Sequence, residues 1–189
     1  MKIRIKLICV ILIAFFSLKQ GYGQFEFKIS DVSVAVTDFQ YGLPFIKTFP
    51  IHPGIEVGAT ILKKEKEKSS HSFGANLGFF HHNVLANAPY LITGYNYQRN
   101  IKQTIGLQAG AGLGYMHTFY PGESYEYNKN TNEFEPATNS SPFFLIDAGL
   151  GISYLKMNKV QPFIRYNVTS LNIYNYFTST IKFGITLDI

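Results

Sequence analysis

The 189-residue sequence carries 17 lysines and arginines against 12 acids, with one cysteine and no tryptophan. Four of the bases (Lys2, Arg4, Lys6 and Lys19) precede Gln24 with no acid among them, so residues 24–189 are nearly neutral, with 13 bases to 12 acids. That balance leaves no basic footprint for nucleic acid. With Cys9 confined to the leader, it also leaves no disulfide, thiol nucleophile or cysteine metal site.

The first segment reads as a secretory signal peptide over residues 1–23. Basic Met1–Lys6 is succeeded by an apolar run, Leu7–Phe16, and by small residues at Gly21-Tyr22-Gly23. The run is too short for a membrane helix, and the alternative is a short amphipathic anchor. Cys9 lies near the start of the run rather than after it, so it does not read as a lipid-attachment site. Residues 24–189 then form one domain.

Eight segments of that domain alternate between apolar and small or polar residues. They are Ile29–Asp38, Ile51–Lys63, His71–His82, Pro89–Arg99, Lys102–Phe119, Phe143–Lys156, Val160–Ser170 and Thr178–Ile189. Each suffices for a tilted membrane-crossing strand of about 9–11 residues. The connections alternate too. Arg99–Lys102 and Met157–Lys159 are tight and Lys63–Ser70 is a charged hairpin end, whereas Gln40–Pro50, Asn83–Ala88, Tyr120–Pro142 and Leu171–Phe177 are longer.

Within these segments every glycine takes one phase. Gly106, Gly110, Gly112 and Gly114 oppose Ile105, Leu107, Leu113 and Tyr115; Gly149 and Gly151 oppose Phe144, Ile146, Leu150 and Ile152. Side chains alternate across a strand, so one face of the sheet is bulky and apolar and the other small and polar. A soluble sheet would expose charge on its wet face, and a soluble sandwich or lipocalin-like barrel is the alternative. The pattern predicts an all-β protein: an eight-stranded antiparallel up-and-down transmembrane β-barrel, apolar outside and narrow within. Outward Tyr95, Tyr97 and Tyr154 fall toward one end, and Phe79, Tyr115, Phe119 and Phe144 toward the other, as two interfacial girdles.

With its leader, its eight strands and a last segment in which Ile181, Phe183, Ile185, Leu187 and Ile189 share the outward phase, the chain resembles the small eight-stranded outer-membrane barrels, the OmpA-barrel and OmpX-like group. Its Tyr, Asn and Lys content resembles Bacteroidetes-type proteins. The resemblance implies a location in a Gram-negative outer membrane, among lipid and lipopolysaccharide. It also implies a last strand read by the barrel assembly machinery, although the final residue is Ile189 where members often end in Phe. A monomer with no cofactor is expected.

Four charges, Glu56, Asp147, Arg165 and Lys182, share the inward phase at similar depth. They predict a luminal network in which Arg165 meets Asp147 or Glu56 and Lys182 completes the set, because unpaired charges in a narrow lumen are costly. A lumen plugged by polar side chains is the preferred reading, and a narrow pore the alternative. Some barrels of this group are lipid A deacylases or acyltransferases, for which His81, His82 and His117 are the weak catalytic candidates. No serine or carboxylate accompanies them in the required pattern, nor do they form a metal set. The long connection, with Tyr120, Tyr125, Tyr127 and Phe134 among small polar residues, reads either as an external binding loop for an unidentified ligand or as an irregular surface loop. A structural or surface-interaction role is therefore preferred to a lipid-modifying enzyme.

Overall fold

In the computed structural model the described residues are 29–41, 52–82, 86–102, 104–137, 139–157, 159–172 and 176–189. They form ten strands: β1 Asp31–Tyr41, β2 Pro53–Lys66, β3 Ser69–His82, β4 Ala86–Ile101, β5 Ile105–Phe119, β6 Ser124–Asn128, β7 Glu133–Ala137, β8 Ser140–Tyr154, β9 Val160–Leu171 and β10 Tyr176–Asp188. Eight close into an antiparallel barrel in the order β1-β10-β9-β8-β5-β4-β3-β2, while β6 and β7 pair as a separate hairpin. The barrel is a simple meander, sealed where Val34 of β1 meets Ile185 of β10. The leader and Phe25–Lys28 lie outside the described residues.

All eight alternating segments are barrel strands, with shifted ends. β2 and β3 run through most of the charged stretch to a two-residue turn at Glu67–Lys68, and β4 starts at Ala86 rather than Pro89. Lys102 belongs to the next turn rather than to β5, with φ of 50°. The larger difference is in Tyr120–Pro142, where the structure has the β6–β7 hairpin. Its strands are joined through Asn132 in the left-handed region at φ 57°, a conformation that asparagine tolerates. Asn130 N–H donates to Asn128 Oδ1 at 2.9 Å, an Asx turn that starts the reversal.

The bulky phase faces outward. Leu77, Leu91, Leu113, Leu150, Ile164 and Phe183 are all exposed, Leu150 at 69%. A continuous apolar belt of this kind is what a bilayer covers, and no helix among the described residues is long and apolar enough to cross a membrane. Tyr95, Tyr154, Phe79, Tyr115, Phe119 and Phe144 are exposed toward the strand ends.

The glycine phase faces the lumen, where side chains from neighbouring strands leave no room for a Cβ at several positions. The clearest is Gly78, where a Cβ would sit inside the ring of Tyr90. Tyr90, 2% exposed, lies flat across β3 there. Substituting Gly78→Val should therefore expel the ring and destabilise the refolded barrel by about 1–3 kcal/mol. A urea titration monitored by heat-modifiable gel migration would show a lower midpoint than for the unmodified protein. An unchanged midpoint would contradict this packing.

Candidate functional site

The lumen is built in three tiers. Toward the long-loop end, Phe80, Ala88, Tyr90, Ile92, Met116, Leu145 and Leu171 form one buried cluster, with Phe143 packed against it. Phe80, Met116 and Leu145 are at most 2% exposed. The expected polar plug is thus mixed at this level, the apolar cluster sharing it with the buried Thr37, Thr118, Thr178 and Thr180. The sequence holds the signal: Phe80, Ile92, Met116, Leu145 and Leu171 break the small, polar phase of their strands toward the ends that lead into long connections. Inward apolar residues there fill the barrel mouth as a soluble core would be filled.

Below the plug lies the charged tier. Lys182 Nζ approaches Glu56 Oε2 at 2.6 Å, with both side chains buried, and the Tyr90 hydroxyl donates to the same oxygen at 2.9 Å. Asp147 is also buried. It accepts from Asn167 Nδ2 at 2.5 Å and from Thr169 Oγ1 at 2.7 Å. Gly149 provides the space for this arrangement, since a Cβ there would overlap the Asn167 amide.

Arg165 departs from the expected contact. Among the described residues it makes no hydrogen bond or ion pair, and its Nε is buried without a partner. The reason is stagger. Counting equal depths along consecutive strands put Asp147 level with Arg165, but tilted barrel strands are offset at each step. The ladder sets Asp147 opposite Thr169, and Arg165 opposite Gly151. On its other side Arg165 faces Lys182, which turns across β1 to reach Glu56 on β2.

The third tier is a polar cavity of about 450 Å³ at the short-turn end, lined by Asn76, Asn96, Gln98, Gln108, Arg165 and Lys182 among others. Its amides are linked to one another: Gln108 Nε2 donates to Gln98 Oε1 at 3.1 Å, Gln98 Nε2 to Asn100 Oδ1 at 3.0 Å, and Ser153 Oγ to Gln98 Oε1 at 3.2 Å. Nearer the rim, Lys63 bridges Asp31 at 3.1 Å and Glu65 at 2.8 Å.

The histidines occupy the outer ends of the strands but assemble no catalytic set among the described residues. His117 Nδ1 is 2.8 Å from the Tyr115 hydroxyl, and its ring packs on Phe119 with centroids 4.8 Å apart. Its cross-strand partner is Pro142. His81 Nδ1 lies 2.5 Å from Asn87 Oδ1. The His82 side chain lies outside the described residues. No group of three metal-ligating side chains occurs among the described residues.

Outside the barrel, the β6–β7 hairpin has two unlike faces. Its register opposes Tyr127 with Phe134 and Tyr125 with Pro136, while Glu126 opposes Glu135. The Tyr127 and Phe134 rings pack with centroids 5.3 Å apart, tilted by 60°, and Phe134 is 70% exposed. Glu123 accepts from the Tyr125 hydroxyl at 2.6 Å and so holds that phenol above its ordinary pKa. Tyr127 donates to Asn132 Oδ1 at 3.0 Å, and Asn128 and Thr131 both donate to Glu135. The aromatic side chains are thus exposed yet positioned. Tyr120 precedes the hairpin and is also exposed.

The revised pairing has a thermodynamic consequence. Lys182→Met alone should leave Glu56 buried without its cation and cost about 3–5 kcal/mol, whereas Glu56→Met with Lys182→Met should come near the unmodified stability. Urea titrations of the single and double variants should give a larger coupling for Glu56–Lys182, which are in direct contact, than for Asp147–Arg165, which are not. The reverse ranking would disprove the pairing.

No family model matches the chain, and no curated protein matches it significantly. Solved structures do match. Ail, the attachment invasion locus protein of Yersinia pestis, has a TM-score of 0.54 at 11% identity, over 86% of this chain and 100% of its own. Neisserial surface protein A has a TM-score of 0.53 at 9% identity, over 84% and 96%. Ail in complex with the heparin analogue sucrose octasulfate gives 0.52 at 13% identity, over 85% and 97%. At such identities the likeness is one of fold: a closed eight-stranded antiparallel barrel resembling the small outer-membrane barrels of Gram-negative bacteria.

Proposed function

We propose that this protein is an outer-membrane barrel that acts at the cell surface through the β6–β7 hairpin, with the barrel as a closed, rigid mount. The observation that carries the reading is the exposed pair Tyr127 and Phe134, packed ring against ring on a hairpin whose turn and flanks are hydrogen-bonded. Rigid aromatics offer contact area at low entropic cost, and loops on a stable scaffold are where binding concentrates. Residues 1–23 would direct export, and β10 would be the strand read by the assembly machinery.

The attachment function in the name of the Yersinia neighbour, and its complex with a heparin analogue, support surface recognition as a role this fold can serve. The chemistry here differs. Glu123, Glu126, Glu133 and Glu135 accompany a single Lys129 in the hairpin, so a sulfated polyanion would be repelled. The hairpin suits a neutral or cationic ligand. The apolar upper tier argues against the narrow-pore alternative, and the histidine environments give no support to a lipid-modifying enzyme.

Three measurements test this reading. Because Cys9 is the sole cysteine, single cysteines report topology cleanly: Thr131→Cys should react with an impermeant maleimide on intact cells, and Met157→Cys only after permeabilisation. Planar-bilayer recordings should show no large steady conductance. In lipid nanodiscs, binding to arrayed matrix proteins and neutral glycans should be lost on joint Tyr127→Ser and Phe134→Ser substitution while heat-modifiable migration is retained. Binding confined to sulfated glycans, or indifferent to the hairpin, would overturn the proposal.

A further inference from the structure

The lower lumen holds a cation that its pairing scheme does not use. Arg165 and Lys182 stand directly opposite each other on β9 and β10, an unfavourable placement for like charges. Glu56 takes Lys182, while Arg165 lies in the field of Asp147 and Glu56 with no hydrogen bond or ion pair to either among the described residues. Asp147 is occupied by Asn167 and Thr169, and it does not line the cavity. The Arg165 guanidinium reaches past β8 to lie over Gly110 of β5, close to the Asn96 side chain; a Cβ on Gly110 would overlap both. Gly110 thus clears the space into which this side chain extends.

The surroundings narrow the chemistry. The cavity, about 450 Å³, falls in the size range of small-molecule sites. Asn76, Asn96, Gln98 and Gln108 line it, offering donors and acceptors rather than the apolar wall a lipid chain would need. Of the carboxylates that line it, Glu56 is engaged by Lys182 and Tyr90, Asp31 and Glu65 by Lys63, and Glu67 is exposed at the rim. A guanidinium, by contrast, presents a planar fork that fits a carboxylate or phosphate with two parallel bonds.

We propose that this cavity is a binding site for a small polar oxyanion, entering from the short-turn end, with its carboxylate or phosphate held by Arg165 and its remainder by the side-chain amides of β3, β4 and β5. The site lies at the opposite end of the lumen from the hairpin and is independent of the surface reading. It makes the lower barrel a blind receptacle beneath the apolar plug.

The sequence supplies a convenient reporter. After residue 4 the only arginines are Arg99 and Arg165, so the refolded protein in detergent micelles should give two Nε–H side-chain NMR signals. Inorganic phosphate and N-acetylalanine are titrated separately, with sodium chloride at matched ionic strength as the control. The Arg165 signal should shift saturably with at least one oxyanion while Arg99 stays put. Response to phosphate alone or to N-acetylalanine alone assigns the site to that class. Arg165→Lys, which keeps the charge but loses the fork, and Gly110→Ala, which displaces the fork, should each weaken binding about tenfold or more, as expected for loss of a charge-assisted hydrogen bond. For Arg165→Lys, binding is read from perturbation of backbone amide signals around the cavity. No saturable shift, an equal response to chloride, or parallel shifts of both arginines would overturn the proposal.

Discussion

Closure of the hydrogen-bonded ladder is the constraint on which the rest of this structure depends. A strand facing hydrocarbon has no water to satisfy its amides and carbonyls, so a spanning sheet must have no free edge. Here β1 and β10 provide the seal, paired from Asp31 and Asp188 to Tyr41 and Thr178. Closing only eight strands makes the lumen narrow, and the narrowness dictates what can face inward. Tyr90 can lie flat across β3 because Gly78 has no side chain, and Asn167 can reach Asp147 because Gly149 has none. The one-sided glycine pattern is the imprint of closure on the sequence.

Within that tube, composition changes with depth and the physics changes with it. The upper tier, an apolar cluster with buried threonines beside it, fills the mouth nearest the long loops. Beneath it Glu56 and Lys182 are buried and held together with a third partner in Tyr90. Below, the amide-lined cavity lies toward the short turns. A barrel closed at one end and hollow at the other does not suit conduction. It suits rigidity above and occupancy below.

The hairpin obeys a different logic. It leaves the barrel between β5 and β8, pairs with itself and carries its own register. Its aromatic face has no core to enter, and its other face opposes Glu126 with Glu135, a juxtaposition relieved by Asn128 and Thr131 donating to Glu135. Exposed aromatic area beside concentrated negative charge separates it electrostatically from the sulfated ligand seen with the Yersinia neighbour.

The sequence by itself determined the architecture. Period-two alternation, the glycine phase and the rhythm of connections are local properties, and they placed every barrel strand and the inward orientation of Glu56, Asp147, Arg165 and Lys182. Even the apolar tier was written there, as Phe80, Ile92, Met116, Leu145 and Leu171 interrupting the polar phase near the long loops. What only the tertiary structure decided was partnership. Which charge meets which depends on the stagger accumulated around a closed, tilted sheet, and no count along single strands contains it. Hence Lys182, not Arg165, reaches Glu56. The β6–β7 pairing was hidden for a related reason: Tyr125, Tyr127 and Phe134 acquire a shared face only once two short segments, each too weak to declare itself a strand, are set in register by the turn between them.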